Sequence, residues 1–68
     1  MLNVNKLKGA IASAGHTQES LAKAMDMSVN TLNAKVNGNT RITTDEVLKM
    51  CEVLSITEDS DKIEIFLT

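Results

Sequence analysis

Two helical patterns, residues 18–25 and 29–37, are joined by only three residues, Asp26, Met27 and Ser28. A link that short forbids antiparallel packing of its two helices and makes them cross steeply. Leu21, Ala22 and Met25 mark the inward face of the first helix, and Leu32 and Val36 that of the second. Thr17 and Ser28 stand where side-chain oxygens cap helix starts, and Gly38 stops the second helix. No Glu follows Thr17 by three residues, so a full capping box is not expected there. Met27 is placed to plug the angle between the pair.

The rest of the chain supplies helices to cover this pair. Val4, Leu7, Ile11 and Ala14 recur at three- and four-residue steps, predicting a first helix over residues 4–14 with Asn3 as its cap and Gly15 just past its end. Thr43 and Glu46 form a capping box for a fourth helix, with Val47, Leu48, Cys51 and Leu54 expected inward and Ile56 packed beneath the following turn. The tail, residues 62–68, reads two ways. Ile63, Phe66 and Leu67 suit a last helical turn, whereas Ile63, Ile65 and Leu67 suit a short strand by alternation; the helix is preferred. The expectation is an all-α, four- to five-helix bundle forming one domain over residues 1–68. At 68 residues the chain buries about 60% of its unfolded surface, too little for a deep substrate pocket.

Composition excludes several classes of function. A single cysteine, Cys51, allows no internal disulfide and reads as a small buried hydrophobe. With the one histidine, His16, at a turn and no third orienting group, it makes no nucleophile–base constellation, so no enzyme is expected. No Cys/His cluster suits a metal, and neither cofactor nor small-molecule substrate is expected. No apolar run reaches the roughly 18 residues of a membrane span and no signal pattern opens the chain, so the expected compartment is the cytoplasm.

The net charge of −2 would by itself argue against a polyanionic partner. Its distribution does not. Residues 1–44 carry five basic side chains against two acidic ones, +3, and residues 45–68 carry two against seven, −5. A basic front and an acidic back can orient one face toward nucleic acid.

That face is most informative on the helix over residues 29–37. On a helical wheel Asn33, Asn37 and Asn30 fall at about 100°, 140° and 160° from Leu32, with Ala34 near 200°, while Val29 leans toward the core beside Leu32 and Val36. Asparagine costs a helix roughly half a kcal/mol or more per site relative to alanine, so a stripe of three points to a need for carboxamides. Asn pairs bidentately with adenine N6 and N7 in the major groove, and small neighbours such as Thr31 and Ala34 permit close approach. Around the stripe lie candidates for phosphate: Gln18 at a helix start, Lys35 beside the stripe, and Asn39, Thr40 and Arg41 in the loop. Lys6, Lys8 and Lys23 are expected to add at most long-range attraction.

Thr17-Gln18-Glu19-Ser20-Leu21-Ala22, Met27-Ser28, Thr31-Leu32 and Lys35-Val36-Asn37-Gly38 together resemble the Cro/CI-type (XRE-like) helix-turn-helix family of small phage repressors. The resemblance runs on through the segment beginning at Thr43 and the Ile-Glu-Ile-Phe-Leu tail, nearly the whole chain. It implies a lambda repressor-like DNA-binding domain acting as a phage or prophage transcription regulator. The helix over residues 29–37 would lie in the major groove, and a homodimer would sit on a roughly palindromic double-stranded operator. It assigns base contacts to Val29, Asn30 and Asn33, with Ala34 alongside. It supports Gln18 and Asn37 as phosphate or backbone contacts, and Thr17, Lys35, Thr40 and Arg41 complete the candidate phosphate set. Asp26 departs from the family, which usually has glycine in the turn. The rival expectation is a helix-turn-helix fold that has lost DNA and binds another protein, as acidic patches would allow.

Overall fold

The computed structural model describes residues 2–67, and in them the chain forms five helices and no strand. These are α1 (Val4–Ser13), α2 (Gln18–Ala24), α3 (Val29–Val36), α4 (Thr44–Val53) and α5 (Asp59–Phe66). Four starts are capped as their sequences require: Asn3, Thr17, Ser28 and Thr43 each accept the backbone N–H three residues on. At α4 the Glu46 carboxylate returns to the Thr43 N–H at 2.9 Å, completing the expected box. The box at α2 is a correction. Ser20 closes it in place of a Glu, its Oγ accepting from the Thr17 N–H at 2.9 Å, because a hydroxyl three residues past the cap also reaches that donor.

The first four helices end by one device. The N–H groups just past each end fold back onto helix carbonyls: Gly15 to Ala12 and His16 to Ile11, Asp26 to Lys23 and Met27 to Ala22, Gly38 to Lys35 and Asn39 to Ala34, Ser55 to Glu52 and Ile56 to Cys51. The pivot in each case has left-handed backbone, with φ of 77° at Gly15, 57° at Asp26, 78° at Gly38 and 57° at Ser55. Gly15, Gly38 and the turn residue Asp26 are legible as pivots from sequence; Ser55 is not.

The core draws on all five helices. Leu7 and Ile11 of α1, Leu21 and Ala22 of α2, Leu32 and Val36 of α3, Met50 of α4 and Ile65 of α5 are buried, with Met25 and Leu54 at helix ends. Met27, Ile42 and Ile56 pack against this cluster from the connections. α2 packs on α3, and α1 packs on both α3 and α5. The chain ends are tied where the Asn3 N–H donates to the Ile65 carbonyl at 2.7 Å, with Lys6 and Glu64 paired at 2.8 Å nearby.

The inward faces of α4 and α5 differ from expectation. Leu48 is 59% exposed, and Met50 takes its place with no exposure. The tail is helical through Phe66, with Ile65 inward and Ile63 and Leu67 at 53% and 71% exposure; Thr68 lies outside the described residues. Ala14 is exposed as the residue after α1, and Val29 is 44% exposed rather than turned to the core. Ala14 and Val29 lie at helix ends, where fewer neighbours cover a side chain, whereas Leu48 and Ile63 lie within their helices on a side left exposed. Cys51 is buried, and its desolvated thiol is pushed above its ordinary value, partly offset by Lys62.

Candidate nucleic-acid interface

α2 and α3 pack on one another across the short connection. The connection occupies residues 25–28, with Asp26 in left-handed backbone and the Met27 side chain half-buried against the core. Leu32 and Val36 are wholly buried, so one side of α3 is fixed to the body of the molecule. Side chains on its other side are presented from a rigid rod.

Asn30 and Asn33 are exposed, as is Val29, and Ala34 is half-buried between them and the core. Thr31 is exposed too, but its hydroxyl accepts from Ser28 Oγ at 2.8 Å and belongs to the α3 cap. Asn37 is the residue after α3, half-buried and turned along the helix. Its Nδ2 donates to Asn33 Oδ1 at 2.8 Å and to the Asn33 carbonyl at 2.9 Å.

At the start of α2, Gln18 is half-buried and Thr17 exposed, beside backbone N–H groups that no helix carbonyl can satisfy. The Thr17 hydroxyl accepts from the Ser20 N–H at 3.1 Å, and Ser20 Oγ also shares a 2.9 Å hydrogen bond with His16 Nδ1. In the loop after α3, Thr40 and Arg41 are exposed.

Two residues grouped with these from sequence behave differently. Lys35 turns inward: its ammonium lies 2.9 Å from Glu46 Oε1 and donates to the Arg41 carbonyl at 3.0 Å, with only 13% of the side chain exposed. Asn37 directs its two amide hydrogens' worth of donor capacity at Asn33, and its backbone N–H goes to the Asn33 carbonyl as well. A phosphate accepts hydrogen bonds only, so these partners compete with the contacts expected of both residues. The Lys35–Glu46 pair was invisible in the sequence because the two residues lie on different helices, eleven positions apart.

Among the described residues no group of three or more His, Cys, Asp or Glu could hold a metal ion, and no helix is long and apolar enough to cross a membrane. An open, largely apolar groove is lined by Gly38 to Ile42, the start of α4 and the ends of the chain, including Leu2, Phe66 and Leu67; no residue of α2 or α3 lines it.

No curated protein matches the chain significantly. A helix-turn-helix family model matches residues 7–60, from the middle of α1 into α5 and therefore across the whole α2–turn–α3 unit. The match takes in the capped starts of α2, α3 and α4, the connection over residues 25–28 and the buried face of α3. The chain belongs to the XRE-type helix-turn-helix family of DNA-binding transcription regulators.

Proposed function

We propose that this protein is a Cro/repressor-like regulator of phage or prophage type that binds a specific double-stranded operator through α3 in the major groove. One observation carries the reading. Asn30 and Asn33 are exposed on a helix whose opposite side, Leu32 and Val36, is wholly buried. Carboxamides on an anchored rod can meet the N6 and N7 edge of adenine, and exposed Val29 and half-buried Ala34 offer apolar contact to a thymine methyl.

Phosphates take the surrounding positions in this reading. The free N–H groups at the start of α2, with Gln18 and Thr17, hold one backbone segment, while Thr40 and Arg41 meet another. Lys35 serves indirectly, holding the loop that carries Arg41. The protein works by occupancy, without chemistry, in the cytoplasm.

One such helix reads too few base pairs for genomic specificity, so two protomers bind half-sites about one helical turn apart. The exposed Ile63 and Leu67 at the C-terminal end support a seam there. The protein-module alternative gains nothing from the apolar groove, since α2 and α3 do not line it.

The test is Asn33→Ala measured on an operator enriched by the wild-type protein from a randomised duplex pool and on random duplex. A loss of about 1–3 kcal/mol confined to the operator supports base reading. Equal loss on both removes Asn33 from it.

A further inference from the structure

The contact between Asn37 and Asn33 has a consequence for which base α3 selects. A lone carboxamide on a helix surface turns about its terminal torsion between two nearly equivalent states, presenting either its oxygen or its NH2. Asn33 is not in that position. Asn37 Nδ2 donates to Asn33 Oδ1 at 2.8 Å while also gripping the Asn33 carbonyl at 2.9 Å. Asn33 flipped would set NH2 against NH2, so its orientation is fixed. One lone pair of Oδ1 is taken by Asn37, one remains, and both Nδ2 hydrogens of Asn33 stay available.

We propose that Asn37 is a positioning residue that holds the Asn33 carboxamide in one of its two orientations and so preorganises it for adenine. This rests on the major-groove reading above. The presented edge, donors on Nδ2 and one acceptor site on Oδ1, matches adenine, whose N7 accepts and whose N6 amine donates. A guanine offers acceptors at both N7 and O6 and leaves Oδ1 unmatched. Asn37 thereby acts on sequence preference without touching DNA through its amide hydrogens.

The test compares wild type, Asn33→Ala, Asn37→Ala, their double variant and Asn37→Asp on two duplexes: one enriched from a randomised pool and one scrambled. Asn37→Ala is expected to lower the operator-to-scrambled affinity ratio about tenfold, with the salt slope unchanged and the double variant no worse than Asn33→Ala alone. Asn37→Asp keeps the side chain's shape but can only accept, so Asn33 must reverse. The same drop in ratio is expected, with a modest fall in melting temperature because the carboxylate faces the Asn33 carbonyl at the C-terminal end of α3, and taking the ratio cancels uniform repulsion of phosphate by the new charge. A ratio unchanged in Asn37→Ala, while Asn33→Ala lowers it, overturns the positioning role and leaves base reading intact. Equal weakening on both duplexes with a flattened salt slope also overturns it, making Asn37 a phosphate contact. Variants at Asn33 and Asn37 that are both neutral overturn base reading itself.

Discussion

The Lys35 ammonium on α3 sits 2.9 Å from the Glu46 carboxylate on α4 and 3.0 Å from the Arg41 carbonyl in the loop between them. Glu46 Oε1 at the same time accepts the Thr43 N–H at 2.9 Å. One carboxylate oxygen and one ammonium thus close the connection from both sides, and the exposed Arg41 is carried on a braced segment. Removing the ammonium should loosen this brace without removing a phosphate ligand. Lys35→Ala is expected to lower stability by about 1 kcal/mol, a fall in Tm of roughly 4–8 °C. The salt slope of DNA binding should stay that of the wild type. A flattened slope would make Lys35 a phosphate contact after all.

The same carboxylate gives stability a pH dependence. The Thr43 N–H first, then the Lys35 ammonium, hold the Glu46 carboxyl below its ordinary value of 4.5, against a smaller opposing effect of burial. For an acid whose folded value is depressed, the stabilisation is complete above the unfolded value and fades as pH falls through the folded one. Glu46→Gln retains a capping acceptor and loses only charge. Its Tm should therefore lie below wild type near pH 7, and the gap should close below about pH 4.5. A gap that persisted in acid would place the effect outside this ionisation.

Ser55 holds a φ of 57° after α4, a conformation that costs an L-residue roughly 1–2 kcal/mol. Glycine removes that strain and returns part of the gain as unfolded-chain entropy, about 0.4–1 kcal/mol. Ser55→Gly should raise Tm by a few degrees, read by circular dichroism, without altering DNA affinity. A lower Tm would mean that the Ser55 side chain, not its backbone, matters.

The corrected α4 face is open to the same kind of measurement. Leu48, 59% exposed, should tolerate alanine within about 0.5 kcal/mol. Leu32→Ala, at a wholly buried site holding α3, should cost about 2–5 kcal/mol, enough to unfold much of a domain this small. Denaturant titration separates the two, and a large cost at Leu48 would signal that its surface is covered in solution.

What the sequence revealed follows from what is local. Caps at Asn3, Thr17, Ser28 and Thr43, the stops at Gly15 and Gly38, and the inward Leu21, Leu32 and Val36 are decided within one or two turns of chain, and they lie where expected. Leu48 and Val29 went astray because apolar spacing cannot say which side a neighbouring helix will cover. Ser55 was missed because its strain is imposed by the Ile56 anchor beyond it, not by serine's own preference. At the candidate interface the exposed Asn30 and Asn33 were legible from the wheel. The partners of Asn37 and Lys35 were not, since a hydrogen bond depends on rotamers and on helices distant in sequence.

Selection from a randomised duplex pool asks whether the exposed carboxamides on α3 read base edges at all. Enrichment of a roughly palindromic site with adenine-containing half-sites about one helical turn apart is expected, and loss of that enrichment with Asn33→Ala. A pool that stays random after repeated rounds, or an enriched site indifferent to Asn30 and Asn33, would contradict base reading.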